Sequence, residues 1–348
     1  MVGKSSLFAI LTGVQESGRV GSMEVRLGVA KVPDERLGEL ARIFQPPKVT
    51  HATVEYLDAA SISKESLREQ SFLASLRVVD AFAHVLRVFD DPSVPHEKGS
   101  VDPLRDAVEV DTELILSDLA VVEKRLERVD KDRKKIKSPE LDKEHELLIR
   151  CQELLNQGEP LRVLDLDADN EKRLRGFQFL SQKPMLYVLN LGEADAPRLH
   201  QVEQEYRQGP LGGRKQTHIT AVCGKIEAEL AELPPEDQRE VMSSYGLSEG
   251  GLERMISATY DLLGLMSFLT AGETEVRAWT VRKNSRAQEA AGAIHSDFEK
   301  KFIRAEVVNW KDLVSASGYA GLRGGTLLRL EGKDYIVKDG DVLVIRHG

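Results

Sequence analysis

The chain has 348 residues, and 57 Asp or Glu outnumber 48 Lys or Arg, so its formal net charge is −9. Its composition, 41% hydrophobic and 30% charged, is that of a globular protein with enough apolar material for two or three domains. Two cysteines, Cys151 and Cys223, exclude a disulfide framework. The lack of a long apolar run and of a signal-peptide pattern predicts a cytoplasmic protein without a membrane partner.

The first part of the chain alternates between predicted strands and helices. Strands are predicted at 22–32, 51–57 and 81–89, and helices at 35–44 and 72–79. The run at 81–89 is apolar enough for a buried parallel strand. Asp58 directly follows the strand at 51–57, where α/β proteins place ligand contacts.

Residues 111–160 show a different pattern. Apolar side chains recur at spacings of four and three from Ile115 to Ile136, and a second apolar stripe runs from Leu141 to Leu155. Between the stripes, Ser138-Pro139 provides an N-cap and a helix-opening proline. We predict an antiparallel helical hairpin without a catalytic pattern.

The α/β pattern returns after residue 183. Buried strands are predicted at 185–189 and 218–222, each followed by a polar loop and a helix, and a further helix is predicted at 249–269. The polar loops contain Asn190, Glu193 and the triplet Cys223-Gly224-Lys225.

The last segment predicts a small α+β domain. Strands are expected at 274–282 and 303–308, with a helix capped by Ser285 between them and a hairpin at 335–345 that turns at Asp339-Gly340. Residues 270–348 contain 13 Lys or Arg and 11 Asp or Glu, a net +2, so the rest of the chain carries −11. This end is the candidate surface for nucleic-acid phosphates.

The N-terminus contains half of a phosphate-binding motif. Gly3-Lys4-Ser5 matches the end of the pattern G-x-x-x-x-G-K-S/T, in which backbone N–H groups hold phosphates, the Lys reaches their oxygens and the hydroxyl binds Mg²⁺. The first Gly and the preceding strand are absent. By itself the triplet is compatible with an ordinary N-terminal helix.

Four loops together strengthen the nucleotide interpretation. In a phosphate-loop nucleotidase Lys4 neutralises phosphate charge, and Ser5 with Asp58 holds Mg²⁺. Asn190 contacts a purine edge, Glu193 reads a base substituent, and residues 223–225 lie behind the base. The long separation between Asp58 and Asn190 accommodates the hairpin as an insertion.

Further segments resemble one known family. They are 32–37, 99–103, 225–230, 270–273, 276–279, 290–295, 297–300, 302–306 and 330–335. The chain resembles the YchF, or Obg-like ATPase, branch of the translation-factor GTPases over nearly its whole length. Asn190-Leu-Gly-Glu193 is similar to the family's N-x-x-E motif, which implies a preference for ATP over GTP.

The resemblance implies an α/β Ras-like P-loop domain without its first strand, an inserted antiparallel coiled coil and a C-terminal β-grasp (TGS) domain. The implied boundaries are 1–105 and 170–265 for the nucleotide-binding part, 106–169 for the helical insertion and 266–348 for the TGS domain. The implied nucleotide-binding residues are Gly3, Lys4, Ser5, Ser6, Asn190, Glu193, Cys223, Gly224 and Lys225, with Lys4 in the catalytic role and Ser5, Ser22 and Asp58 at Mg²⁺. Ribosomal RNA is the implied partner of a monomer.

Several positions depart from the family pattern. Met1 stands where the family has an Asn that helps to bind K⁺. The family's D-x-x-G reads Asp58-Ala-Ala-Ser61, and Ile62 occupies the place where Ras-like proteins have a water-orienting Gln. Either the gene start is misplaced or the site has decayed, and the Ser61 change favours a divergent, weak or inactive nucleotidase. Two hypotheses remain: a slow Mg²⁺-dependent ATPase coupled to ribosome binding, or a non-hydrolysing scaffold that binds ribosome or RNA through its TGS and helical domains.

Overall fold

The computed structural model describes residues 2–14, 25–96 and 98–348, and the backbone alone at Pro235. The predicted metal ligand Ser22 and the substituted position Met1 lie outside these residues. The chain forms two compact units. Unit 1 contains the described residues up to Gly28 together with Tyr56–Ala258, and unit 2 contains Val29–Glu55 and Thr259–Gly348.

The strands of the described chain follow in order. They are β1 (Arg26–Lys31), β2 (Val49–Thr50), β3 (Thr53–Asp58), β4 (Phe82–Arg87), β5 (Met185–Asn190), β6 (Thr217–Val222), β7 (Leu265–Ala271), β8 (Val276–Arg282), β9 (Phe302–Asn309), β10 (Arg329–Glu331) and β11 (Asp341–His347).

The α-helices of the described chain include two long ones, α4 and α5. In order they are α1 (Lys4–Thr12), α2 (Glu35–Phe44), α3 (Gln70–Val78), α4 (Pro103–Arg133), α5 (Pro139–Asn156), α6 (Ala168–Leu174), α7 (Leu199–Gln208), α8 (Gly224–Ala231), α9 (Pro235–Ser244), α10 (Gly251–Leu262), α11 (Ala287–Ile294), α12 (Ser296–Lys300) and α13 (Trp310–Ser315). None of them is both long and apolar enough to cross a membrane.

Unit 1 is built around a parallel sheet of order β4-β5-β6. Every residue of β5 is buried, which explains why its sequence is an apolar run rather than an alternation. Helices α1 and α8 pack against each other, and α7 packs on β6. Because the strands are parallel, their carboxyl ends and the loops that follow them lie at one edge of the sheet.

Helices α4 and α5 pack along their apolar stripes, as the spacing predicts. Val122, Val129, Leu148 and Cys151 are fully buried between them. The ion pairs Arg125–Glu144 and Arg133–Asp142 lie on this helix pair. Ser138 is the N-cap of α5 and Pro139 lies in its first turn, as predicted. Ile136, expected in the stripe, is instead 61% exposed because α4 ends at Arg133.

Unit 2 contains a sheet of order β10-β9-β11-β7-β8-β2. Helix α11 contributes buried alanines to the core on this sheet. Helix α2 buries Leu37 and Leu40 and contacts β7, β8 and α13. Strand β2 pairs with β8 in parallel through Val49↔Val276 and Thr50↔Arg277.

The position of residues 29–55 differs from the predicted boundaries. The sequence places them within the nucleotide-binding part, whereas in the structure they belong to unit 2. The physical reason is the pairing of β2 with β8 and the packing of α2 on the same sheet. Strands β1 and β3, which pair with each other, carry the chain from unit 1 into unit 2 and back.

Two predicted elements near the C-terminus are wrong. The helix expected at 249–269 ends at Leu262, and Gly264, with a φ of 64°, turns the chain into β7. The hairpin expected at 335–345 does not form, because β11 pairs with β9 and β7. The stretch before it lies against the start of α11 instead, where the Val337 N–H donates to the Ser285 carbonyl at 3.0 Å.

Candidate nucleotide site

The N-terminus of α1 begins with a glycine in an unusual conformation. Gly3 has a φ of 84°, in the left-handed region, and no side chain caps the helix. A Cβ on Gly3 would lie 2.5 Å from Asn190 Nδ2, so any larger residue would collide with that amide. The first N–H groups of an α-helix lack intrahelical partners and attract anions. Lys4 and Ser5 lie in this first turn, and both are half-buried.

Lys4 reaches from α1 to the end of β3. Its Nζ donates to Asp58 Oδ1 and, at 2.5 Å, to the carbonyl of Ala59. Arg26 at the start of β1 donates from Nη2 to the other carboxylate oxygen, Asp58 Oδ2. The structure therefore brings together the predicted residues Lys4 and Asp58. It adds Arg26, which no sequence motif marks.

The carboxyl group of Asp58 is nearly buried, at 7% exposure. Burial by itself raises the pKa of a carboxyl, but the hydrogen bonds and positive charges of Lys4 and Arg26 outweigh it and hold the pKa of Asp58 below its usual value. Asp58 is thus an anion across the physiological range.

The side chain of Asn190 connects the start of α1 with the start of α8. Its Nδ2 donates to the Val2 carbonyl at 3.0 Å, and its Oδ1 accepts from the Gly224 N–H at 2.9 Å. The side chain is 5% exposed. These two bonds use one N–H and one lone pair of the amide. The predicted residues Gly3, Asn190 and Gly224 therefore lie together at the carboxyl edge of the β4-β5-β6 sheet, and the bond to Val2 adds a residue that was not predicted.

Glu193 and Lys225 form the exposed side of this edge. Lys225 Nζ donates to Glu193 Oε2 at 2.6 Å. This hydrogen bond raises the pKa of Lys225. The carboxylate of Glu193, which is predicted to read the base, therefore lies next to residues 223–225, the loop that is predicted to lie behind the base.

Comparisons with known proteins decide the family. The chain is 39% identical over 352 residues to the ribosome-binding ATPase YchF of Bacillus subtilis (strain 168), covering 99% of this chain and 96% of the relative. The chain belongs to the YchF family. It is also 39% identical over 355 residues to the ribosome-binding ATPase YchF of Escherichia coli O157:H7, covering 98% and 95% of the two chains.

A solved structure of the same family has a similar fold. The solved structure of the Schizosaccharomyces pombe YchF GTPase matches with a TM-score of 0.83 at 27% identity, covering 99% of this chain and 95% of that chain. The α/β fold is therefore that of a YchF GTPase. A family model named YchF-GTPase_C, described as "Protein of unknown function (DUF933)", matches residues 265–348.

Cys223 has a structural position at the candidate site. It is 1% exposed and is the N-cap residue of α8. Burial raises the pKa of its thiol, so the sulfur stays protonated and unreactive. The geometry favours a small packing residue over a redox role.

The loop after β3 differs from what a water-activating loop needs. Ile62, at the place of the Ras-like Gln, is half-buried and packs against the core of unit 1. Ser61 uses its carbonyl to accept from Ser66 Oγ at 3.0 Å. Among the described residues, neither side chain bonds to Lys4, Asp58 or Asn190.

The residues that a YchF protein would use for Mg²⁺ fit in chemical type. Ser5 offers a hydroxyl and Asp58 a carboxylate, which are oxygen ligands that Mg²⁺ accepts. Each oxygen of Asp58 is bonded to one cation, so a metal-bound water would have to use the remaining lone pair of an oxygen or replace one of the cations. No group of three or more His, Cys, Asp or Glu in the described part of the chain is placed to hold a metal ion.

Proposed function

We propose that this protein binds ATP, and GTP more weakly, at the N-terminus of α1 and hydrolyses the triphosphate slowly. The observation that carries the proposal is the position of Asn190, whose amide bonds both to Val2 and to Gly224. That contact unites the phosphate-binding helix with the two loops that are expected to surround the base.

The chemistry of such a site is positioning and charge neutralisation. Lys4 exchanges Asp58 for phosphate oxygens when nucleotide enters, and the first-turn N–H groups of α1 hold the same phosphates. Ser5, Ser22 and Asp58 would hold Mg²⁺, which would supply further neutralisation of the phosphate charge. Ile62 provides no group to orient water, which agrees with slow hydrolysis.

The base preference rests on Glu193. Adenine presents its N6 amino group as a donor where guanine presents the O6 acceptor. A carboxylate near that edge accepts from adenine and repels guanine. Lys225, paired with Glu193 at 2.6 Å, keeps the carboxylate at the entrance of the site.

We further propose association with the ribosome, because the bacterial relatives are named ribosome-binding ATPases. One candidate contact is the C-terminal part, residues 265–348, which matches the YchF C-terminal family model. We propose that this part is a TGS domain and that the protein acts as a monomer in the cytoplasm. The tip of the α4–α5 hairpin is a second candidate. It carries five exposed cations, Lys131, Arg133, Lys134, Lys135 and Lys137, of which Arg133 alone has an ion pair among the described residues. Unpaired surface cations are the groups that bind RNA phosphates.

A non-hydrolysing scaffold is the second candidate function. It is favoured by one observation, namely that Lys4 and Arg26 already form ion pairs with Asp58 and compete there with a metal ion. A scaffold keeps the ribosome contacts but does not turn over nucleotide.

Calorimetric titration of the full chain with ATP and GTP in the presence of Mg²⁺ tests the proposal. We expect ATP to bind more tightly than GTP, and Lys4→Ala to abolish binding. Lys124→Ala is the matched control, since Lys124 is exposed on α4. Binding of neither nucleotide would end the nucleotide proposal, whereas binding without phosphate release would favour the scaffold.

A further inference from the structure

Two cations hold one buried carboxylate at the candidate site. Lys4 occupies Oδ1 of Asp58 and Arg26 occupies Oδ2. Three charged groups therefore meet at one point, with a formal local charge of +1. This arrangement is unusual for a place that is expected to attract a divalent cation.

Arg26 is held at the site by more than its ion pair. Its guanidinium lies 5.5 Å from the centroid of the Phe8 ring, and Phe8 is a buried residue of α1. Arg26 belongs to β1, and Asp58 is the last residue of β3. The guanidinium of Arg26, on β1, is thus held by Asp58 on β3 and by Phe8 on α1.

The entry of a triphosphate changes the two cations differently. Lys4 lies in the first turn of α1, next to N–H groups that lack intrahelical partners, so we expect it to exchange Asp58 for the phosphates. Arg26 lies on β1 rather than on α1, so we expect it to keep its ion pair with Oδ2 of Asp58. The carboxylate then remains compensated by a guanidinium that cannot lose its proton.

A compensated carboxylate attracts a metal ion weakly. The Coulomb attraction between Mg²⁺ and Asp58 is opposed by the positive charge of Arg26, which lies in direct contact with the same carboxylate. The guanidinium itself offers positive charge close to the phosphates, in the way that arginines supplied in cis do in some nucleotidases.

We propose that Arg26 replaces part of the charge compensation that a divalent cation supplies in phosphate-loop sites, so that this chain binds a nucleoside triphosphate with little dependence on Mg²⁺. The inference rests on the proposed nucleotide site and names a positioning residue within it. It concerns binding, which is separable from hydrolysis.

The test compares the ATP dissociation constant of the full chain in excess Mg²⁺ and in EDTA. We expect the two constants of the unchanged protein to agree to within about threefold, because Arg26 already compensates Asp58. Arg26→Gln removes the charge and keeps a hydrogen-bond donor. We expect this variant to bind ATP about tenfold or more tightly in Mg²⁺ than in EDTA. Arg128→Gln, at an exposed position of α4 without an ion pair in the described chain, serves as the control.

The outcomes are distinguishable. A strong requirement for Mg²⁺ in the unchanged protein, equal to that of Arg26→Gln, overturns the role of Arg26 and leaves the nucleotide site intact. Failure to bind ATP in both solutions overturns the nucleotide site and this inference together. The ratio measured on the unchanged protein decides the matter even if Arg26→Gln proves unstable, and thermal unfolding of each variant reports its folding.

Discussion

The amide oxygen of Asn190 accepts a hydrogen bond from the backbone N–H of Gly224 at 2.9 Å, although 34 positions separate the two residues in the chain. The same side chain donates to Val2 at 3.0 Å. One buried amide therefore fixes the distance between the helix expected to bind phosphate and the loop expected to lie behind the base. Any ligand that spans these two parts depends on it.

Replacement of Asn190 by Ala should weaken both stability and nucleotide binding. The change leaves the half-buried Gly224 N–H and Val2 carbonyl without their partner, and each lost hydrogen bond costs about 0.5–1.5 kcal/mol. Calorimetry with ATP and denaturant unfolding measure the two effects. Asn170→Ala is the control, because Asn170 bonds Asp167 at the surface. An unchanged ATP affinity in Asn190→Ala would contradict the central role of this amide.

Gly3 should be far less tolerant of substitution than Gly13. Both have positive φ, 84° and 71°, so Ala at either position pays the backbone cost of roughly 1 kcal/mol. Gly13 has nothing within 4 Å of an added Cβ, whereas at Gly3 the Cβ would press on Asn190 Nδ2 at 2.5 Å. We expect Gly3→Ala to reduce ATP affinity and Gly13→Ala to leave it nearly unchanged. Equal effects of the two variants would argue against the close approach at Gly3.

His84 should make the fold less stable in mild acid. Burial lowers the pKa of His84 from 6.5 to about 4, while the nearby Asp111 and Asp106 oppose the shift. The folded state thus keeps the ring neutral, whereas the unfolded chain takes up a proton below pH 6.5. The resulting stability is present above pH 6.5 and is lost as the pH falls towards 4, by about 2 kcal/mol between pH 7 and 5.

Urea unfolding at both pH values, on the unchanged protein and on His84→Gln, measures this loss. The comparison isolates His84 from Asp118, whose pKa burial raises to about 6 and whose effect on stability has the opposite sign. His295→Gln, at an exposed position, is the control. The same pH dependence in His84→Gln as in the unchanged protein would contradict the assignment.

Reversal of charge at the hairpin tip should weaken ribosome association. Lys134 and Lys135 are exposed and unpaired among the described residues, so the change to Glu removes two phosphate contacts and lowers the slope of log affinity against log salt by about 2. Co-sedimentation with ribosomes over a salt series provides the measurement. Lys172→Glu with Lys215→Glu makes the same charge change at other exposed positions. Equal losses in both double variants would point to net charge rather than to the tip.

Local patterns in the sequence determined several of the helices and strands. The helix at 35–44 and the buried strands β4, β5 and β6 follow from periodicity and apolar runs, because burial on one or both faces sets those patterns. Gly3-Lys4-Ser5, Asp58 and Asn190 were identifiable because each follows or begins an element at the position where α/β folds place ligands. The resemblance to the YchF family was likewise readable from short segments.

Tertiary structure alone decided the rest. The pairing of β2 with β8 assigns residues 29–55 to unit 2, and no local pattern reports a partner so distant in the chain. The end of α10 and the pairing of β11 were mispredicted for the same reason, since an apolar stretch suits helix or strand until its neighbours are known. Arg26 lacks any motif, and its place on Asp58 exists only because β1 and β3 lie side by side. A charge acquires its role from the groups that folding brings within a few ångströms of it.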